Sequence, residues 1–201
     1  MVDVPDFDAL YRADPDPWQV AGSFYEQRKQ AVLLACLTRP RYSAAWDPGC
    51  GTGELAAALT SRVDTVLATD ASTEAVRITA ERCADLPTVR TARLRQPASP
   101  EPADLTAGAD GFDLTVVAEF AYYLTSADRA AFWDVVDSSS APAAEIAIIH
   151  WRHRPHDAYL SGLDVTLEGT HRLTEAGHRW MHRVRHDDQD FVLDICVREA
   201  A

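Results

Sequence analysis

The sequence predicts an α/β fold, one doubly wound, mostly parallel sheet with helices on both faces. Three observations carry this reading. Short apolar runs alternate strictly with helical patterns along the chain. Two of the runs, "FDLTVVAE" and "EIAIIHW", are continuously apolar, as strands covered on both faces are. Three glycines in five residues (Gly49, Gly51 and Gly53) join an early apolar run to a helical pattern, the tight turn that α/β proteins use to approach a ligand.

The elements follow in order. "YRADPDPWQVAG" is rich in proline and aspartate and reads as an irregular arm. Ser23 and Glu26 have capping-box spacing ahead of "FYEQRKQAVLLACL", a helix that Pro40 ends. "SAAWD" is the first strand, 53–61 a helix opened by the glycines, "TVLATD" a strand, and 73–83 a helix starting near Ser72. "TVRTARL" makes a third strand with one wet face, and "RQPASPEPADLTAGADG" a long loop. After the fourth strand, 126–137 forms a helix capped at Thr125 or Ser126, then come the fifth strand and a helix over 161–176. "HRWMHRVRH" fits either period, but "DFVLDICVRE" alternates like a strand, so a closing antiparallel hairpin turning at Asp187, Asp188 and Gln189 is expected. In that hairpin His178, His182 and His186 would share a solvated face.

Composition narrows the function. The 201 residues are 47% hydrophobic, enough for one sizeable core. A net charge of -12 speaks against a nucleic-acid backbone or an anionic membrane as partner. Lys29 is the only lysine, which reads as compositional bias. The four cysteines are scattered without CxxC spacing, as in a reduced, cytoplasmic protein. The acidic start "MVDVPDFDAL" has no signal-peptide pattern, and no apolar run approaches the ~20 residues of a membrane span.

Gly51-Thr52-Gly53-Glu54-Leu55-Ala56 fits a dinucleotide fingerprint, with Asp70 where a ribose-binding acid belongs. Asp47 decides against that ligand. It closes the strand two residues before Gly49, where a pyrophosphate would pass, and its charge would repel one. A ligand bearing a cation suits it. S-adenosylmethionine has an ammonium and a sulfonium, no phosphate, and a ribose whose hydroxyls can donate to Asp70. The loop therefore reads as a methyl-donor site.

"DPGCGTG" followed by Asp70 resembles the class I S-adenosylmethionine-dependent methyltransferases. "DPDPWQVAGSFYEQRK", "AEFAYYL", "HWRHRPHD" and "DFVLD" resemble the NodS-like members, over about Asp14 to Asp194. That resemblance implies a seven-stranded sheet of order 3-2-1-4-5-7-6 with the last strand antiparallel, residues 41–201 as its core, and residues 1–40 as an arm and lid helix over the cofactor. It implies S-adenosylmethionine contacts from Asp47, Gly49, Cys50, Gly51, Gly53, Asp70, Ala71, Leu94 and Glu119. Trp18 and Tyr25 would pack on the methionine part, and Arg28 would meet its carboxylate. The chain departs at Arg95, where these enzymes place an acid near the adenine amine. Arginine has donors only, so Leu94 carbonyls or stacking by Arg95 would have to substitute.

Methyl transfer needs an aligned acceptor and a deprotonated nucleophile. Glu119 and His150 end the fourth and fifth strands, where side chains face the cleft, and are the candidate catalytic residues. Tyr122, Tyr123, Trp151 and Arg152 are candidate acceptor contacts, with one tyrosine expected in the pocket and the other in the core. His150, His153 and His156 recur every third residue, but Arg152 and Arg154 between them would repel a divalent ion, so no metal is expected. The function expected is methylation of a small molecule, preferably an amine and possibly an amino sugar, by a monomer or homodimer. A hydroxyl acceptor or a non-catalytic binding relative are the alternatives.

Overall fold

The structure is a computed structural model, which describes every residue except 1, 3, 101–109, 176–178 and 200–201. The sheet has seven strands in the order β3-β2-β1-β4-β5-β7-β6. They are β1 Tyr42–Pro48, β2 Val63–Asp70, β3 Val89–Arg93, β4 Phe112–Ala118, β5 Ser140–Trp151, β6 Trp180–Asp187 and β7 Phe191–Arg198. The first five run parallel, and β7 inserts antiparallel between β5 and β6, as the resemblance implied; the closing hairpin itself was expected from the sequence. Here the fold class and strand order agree with expectation.

The helices are α1 Phe7–Ala13, α2 Phe24–Cys36, α3 Glu54–Leu59, α4 Thr73–Arg82, α5 Ser126–Ser139 and α6 Gly162–Thr174. Their starts are set by local chemistry. The side chains of Ser23, Ser72, Thr125 and Ser161 each accept a backbone N–H of the first turn. One element was missed. The arm is not wholly irregular, because Asp6 caps α1 by accepting from Ala9 N at 3.1 Å. Asp8 then accepts from Ser72 Oγ at 2.6 Å, tying α1 to the start of α4.

Alternate residues of the buried strands feed two cores. Trp46, Ile146 and Ile148 pack with Phe132, Trp133 and Val165 beneath α5 and α6. Ala45, Ala147 and Ile149 pack with Leu33 and Leu59 beneath α2 and α3. Burial on both sides is why β4 and β5 read as unbroken apolar runs. The long loop after β3 falls mostly on 101–109, and His178 of the hairpin on 176–178, outside the described residues. Of the hairpin's other histidines, His182 is exposed and His186 half-buried. His182 reaches the buried Asp194 at 3.1 Å, and His186 stacks on Phe191.

Candidate active site

Strand order reverses direction between β1 and β4, and the cleft outside the carboxyl ends at that point is where such sheets bind ligands. A cavity of about 1620 Å³ lies there, larger than one small ligand occupies. Its walls come from the glycine loop, the ends of β2, β4 and β5, the loop after β3, and the arm with α2.

At the donor end, Asp47 and Asp70 close β1 and β2. Gly49 has φ +74°, and a Cβ there would come 2.7 Å from Phe120 Cδ1, so only glycine fits the turn. The glycines are thus fixed by the protein's own packing as well as by an approach to ligand. Gly49, Cys50 and Gly51 line the cavity, but Gly53 does not, and the expectation for it is corrected: at φ +84° it turns the chain into α3 against Thr79. Asp70 accepts from Gly51 N at 3.1 Å and Ser72 N at 2.8 Å, which aims its carboxylate along the cavity. Burial raises its pKa, against these backbone donors. Asp47 is buried, and its Oδ2 has no hydrogen-bond partner among the described residues. Burial, then Asp70, pushes its carboxyl up to about 8. A buried acceptor left unmatched in a cavity wall fits a ligand that brings a cation.

The acceptor end is built differently. Glu119 follows β4 at φ +59°, a conformation few non-glycine residues hold. It accepts Trp151 N at 2.9 Å, accepts Tyr122 OH at 2.9 Å, and pairs with Lys29. Burial would raise its pKa, but Lys29 and its other partners outweigh that and lower it. Lys29, from α2, is buried and also meets Glu26 at 2.9 Å. Reading Lys29 as compositional bias missed this residue. Its isolation in an arginine-rich chain was the available signal.

Several expected contacts are placed and others are not. Trp18, Tyr25, Ala71, Leu94, Arg95, Tyr122, Tyr123 and Trp151 all line the cavity. Both tyrosines reach it, not one, although Tyr122 is also buried in the core. His150 does not face the cleft. It is fully buried, with Nδ1 at 3.1 Å from Thr166 Oγ1 on α6, and stands behind the Tyr122 ring. Burial lowers its pKa to about 4. The reason is strand alternation: Ile149 and Trp151 border the cleft and His150 points the other way. Arg28 is committed to Asp188 on the hairpin turn, with Nη1 to Oδ1 at 3.0 Å, and Arg152 to Asp187 at 2.7 Å; neither lines the cavity. Among the described residues no three His, Cys, Asp or Glu side chains converge as a metal site. No helix among them is long and apolar enough to cross a membrane.

These residues suit S-adenosylmethionine: Asp47 for a cation, Asp70 for the ribose hydroxyls, and the Gly49–Gly51 backbone between them. The chain is similar to known methyltransferases. Residues 45–142 match the methyltransferase domain family. A protein from Pseudomonas syringae described as a candidate methyltransferase is 34% identical, with 88% of this chain and 100% of that one covered and a TM-score of 0.72. The N-methyltransferase NodS from Bradyrhizobium japonicum, solved with S-adenosylhomocysteine, shares the fold at 21% identity, covering 94% and 96% of the two chains with a TM-score of 0.75. The [4+2]-cyclase SpnF shares it at 11% identity, covering 100% and 99%, with a TM-score of 0.77. None of the curated proteins matches in sequence.

Proposed function

This chain belongs to the class I S-adenosylmethionine-dependent methyltransferases, and we propose that it methylates the nitrogen of a small amine. An amino sugar, as in a NodS-like enzyme, is the first acceptor to try. The observation that carries the amine reading is the acceptor end itself. Tyr122, Tyr123 and Trp151 line it together with the carboxylates of Glu26 and Asp157. Aromatic faces and carboxylates both favour a cationic guest. The acidic chain would not hold nucleic acid, and a cytoplasmic monomer or homodimer suits the reading.

When bound, S-adenosylmethionine supplies a methyl carbon already activated by its sulfonium. The protein's part is to align the amine in line with that carbon and to remove its proton. Asp47 would hold the donor's ammonium and Asp70 its ribose, and Trp18 and Tyr25 of the arm would cover the methionine part. Glu26 takes the acceptor's proton. It lies in the wall on α2, where burial raises its carboxyl against the pull of Lys29. Glu119 anchors this wall through Lys29, Tyr122 and Trp151 N. His150 plays no proton-transfer part.

Mass spectrometry of products from a panel of amines, amino sugars, phenols and carboxylic acids, incubated with protein and S-adenosylmethionine, tests this. Methylation confined to nitrogen is expected, with kcat in Glu26→Gln lowered on the order of 100-fold. Products methylated only on oxygen, or cofactor turnover without a methylated product, would overturn the amine reading. His150→Ala should leave the pH dependence of kcat unmoved; a loss that alkali restores would return histidine to the mechanism.

A further inference from the structure

The loop leaving β3 carries a second unmatched side chain. Gln96 is 8% exposed, yet neither its Oε1 nor its Nε2 has a hydrogen-bond partner among the described residues. It lines the cavity beside Leu94, Pro97, Ala98 and Ala71. This corner adjoins the ribose acid, because Leu94 N donates to Asp70 O at 2.9 Å and β3 pairs with β2. Arg95, one residue earlier, is exposed at the rim, and it cannot accept a hydrogen bond.

A buried primary amide with all its polar valences open is unfavourable unless a ligand closes them. An amide presents a donor and an acceptor side by side in one plane. The partner that matches both at once is a planar heterocycle with an exocyclic amine next to a ring nitrogen. Adenine is such a ring, and glutamine meets it with Oε1 accepting from N6 and Nε2 donating to the neighbouring ring nitrogen. The apolar walls around the amide suit the faces of such a ring.

We propose that Gln96 is the residue that reads the adenine of the cofactor in this chain, in place of an acid at the position of Arg95. The inference rests on reading the cavity as an S-adenosylmethionine site. Gln96 binds and selects the cofactor; it does not touch the reacting atoms. The backbone after β3 is therefore set to put position 96 inward and position 95 outward.

The test is calorimetric titration with S-adenosylhomocysteine and with its 6-deamino analogue, in which a purine without the exocyclic amine replaces adenine. The wild-type protein should bind S-adenosylhomocysteine on the order of 10-fold or more tightly than the analogue. In Gln96→Leu the two ligands should bind within about 2-fold of each other, because the recognising group is gone. Thermal unfolding of Gln96→Leu without ligand should be no lower than wild type, since an unmatched amide is replaced by an apolar side chain of similar size. A wild-type preference that survives intact in Gln96→Leu would overturn the assignment and leave the cofactor site standing. Failure of the wild-type protein to bind S-adenosylhomocysteine at all would overturn both.

Discussion

The two ends of the cavity use buried carboxylates in opposite ways. At the donor end Asp47 sits in the wall with an oxygen, Oδ2, that has no hydrogen-bond partner among the described residues. At the acceptor end Glu119 is saturated by Lys29, Tyr122 and the Trp151 amide. A carboxylate whose partners are all intramolecular holds structure. One left without partners is held ready for a ligand, and the protein is less stable for it until the ligand arrives. The same contrast separates Gln96, unmatched in the wall, from Arg28, which its ion pair with Asp188 removes from the site.

Substitutions can break or sharpen the contrast. The largest effect is expected at Asp70. Removing it deletes the acceptor proposed for the ribose hydroxyls, and Asp70→Ala should weaken S-adenosylhomocysteine binding on the order of 100-fold or more, at about 1.5–3 kcal/mol per charged hydrogen bond. Calorimetric affinity equal to wild type would sink the assignment of the donor end.

Glu119→Gln comes next, and its effect should fall on stability. It removes one of the two charges that Lys29 is buried against and leaves Glu26, with a cost of about 2–3 kcal/mol, less than a fully buried pair because Glu119 is partly exposed. The melting temperature should fall on the order of 4–10 °C. A melting curve superimposable on wild type would show that the network carries no load.

Asp47→Asn should do the reverse. In the free protein the carboxyl titrates near 8, against an ordinary value near 3.9 when unfolded. Between these limits the folded state keeps a proton that the unfolded state has lost, so the Asp47 contribution to stability falls as pH rises. The asparagine variant should lose that slope and, at neutral pH, unfold about 1–3 kcal/mol later without ligand. Binding shows the other sign. A ligand ammonium favours ionised Asp47, so wild-type affinity for S-adenosylhomocysteine should climb from pH 6 toward 8, by at most about tenfold per unit. The variant's affinity should be lower and flat. A pH-independent wild-type affinity would contradict a cation at Asp47.

Smallest of all is Arg28→Ala. Its partner Asp188 is pulled well below the usual carboxylate range by this pairing, but Arg28 itself is solvent-facing. Stability should change by under about 1 kcal/mol, and cofactor affinity should stay within about 2-fold. A tenfold loss of affinity would restore Arg28 to the site.

Much of the fold was legible because it rests on local periodicity. The unbroken apolar runs of β4 and β5 and the Ser23, Ser72 and Thr125 caps all act within a few residues of chain. The short α1 helix was not read, since seven residues beside a proline-rich segment give a weak period. The site was half legible. Asp47, Asp70 and the glycine turn lie within one strand-turn-helix unit and its neighbour, so spacing alone places them. His150 shows the limit. Being at a strand's end does not say which face the side chain takes, and a shift of one residue reverses it.

By itself the sequence determined the sheet, its order by resemblance, and the donor end of the cleft. It did not determine which charges were already spent. Arg28 and Asp188 lie 160 residues apart, and Lys29 and Glu119 lie 90 apart. Only the packed chain brings such groups together, cancelling some and leaving Asp47 and Gln96 open. Hydrogen-bond satisfaction is a property of what surrounds a group in three dimensions, and no spacing along the chain encodes it.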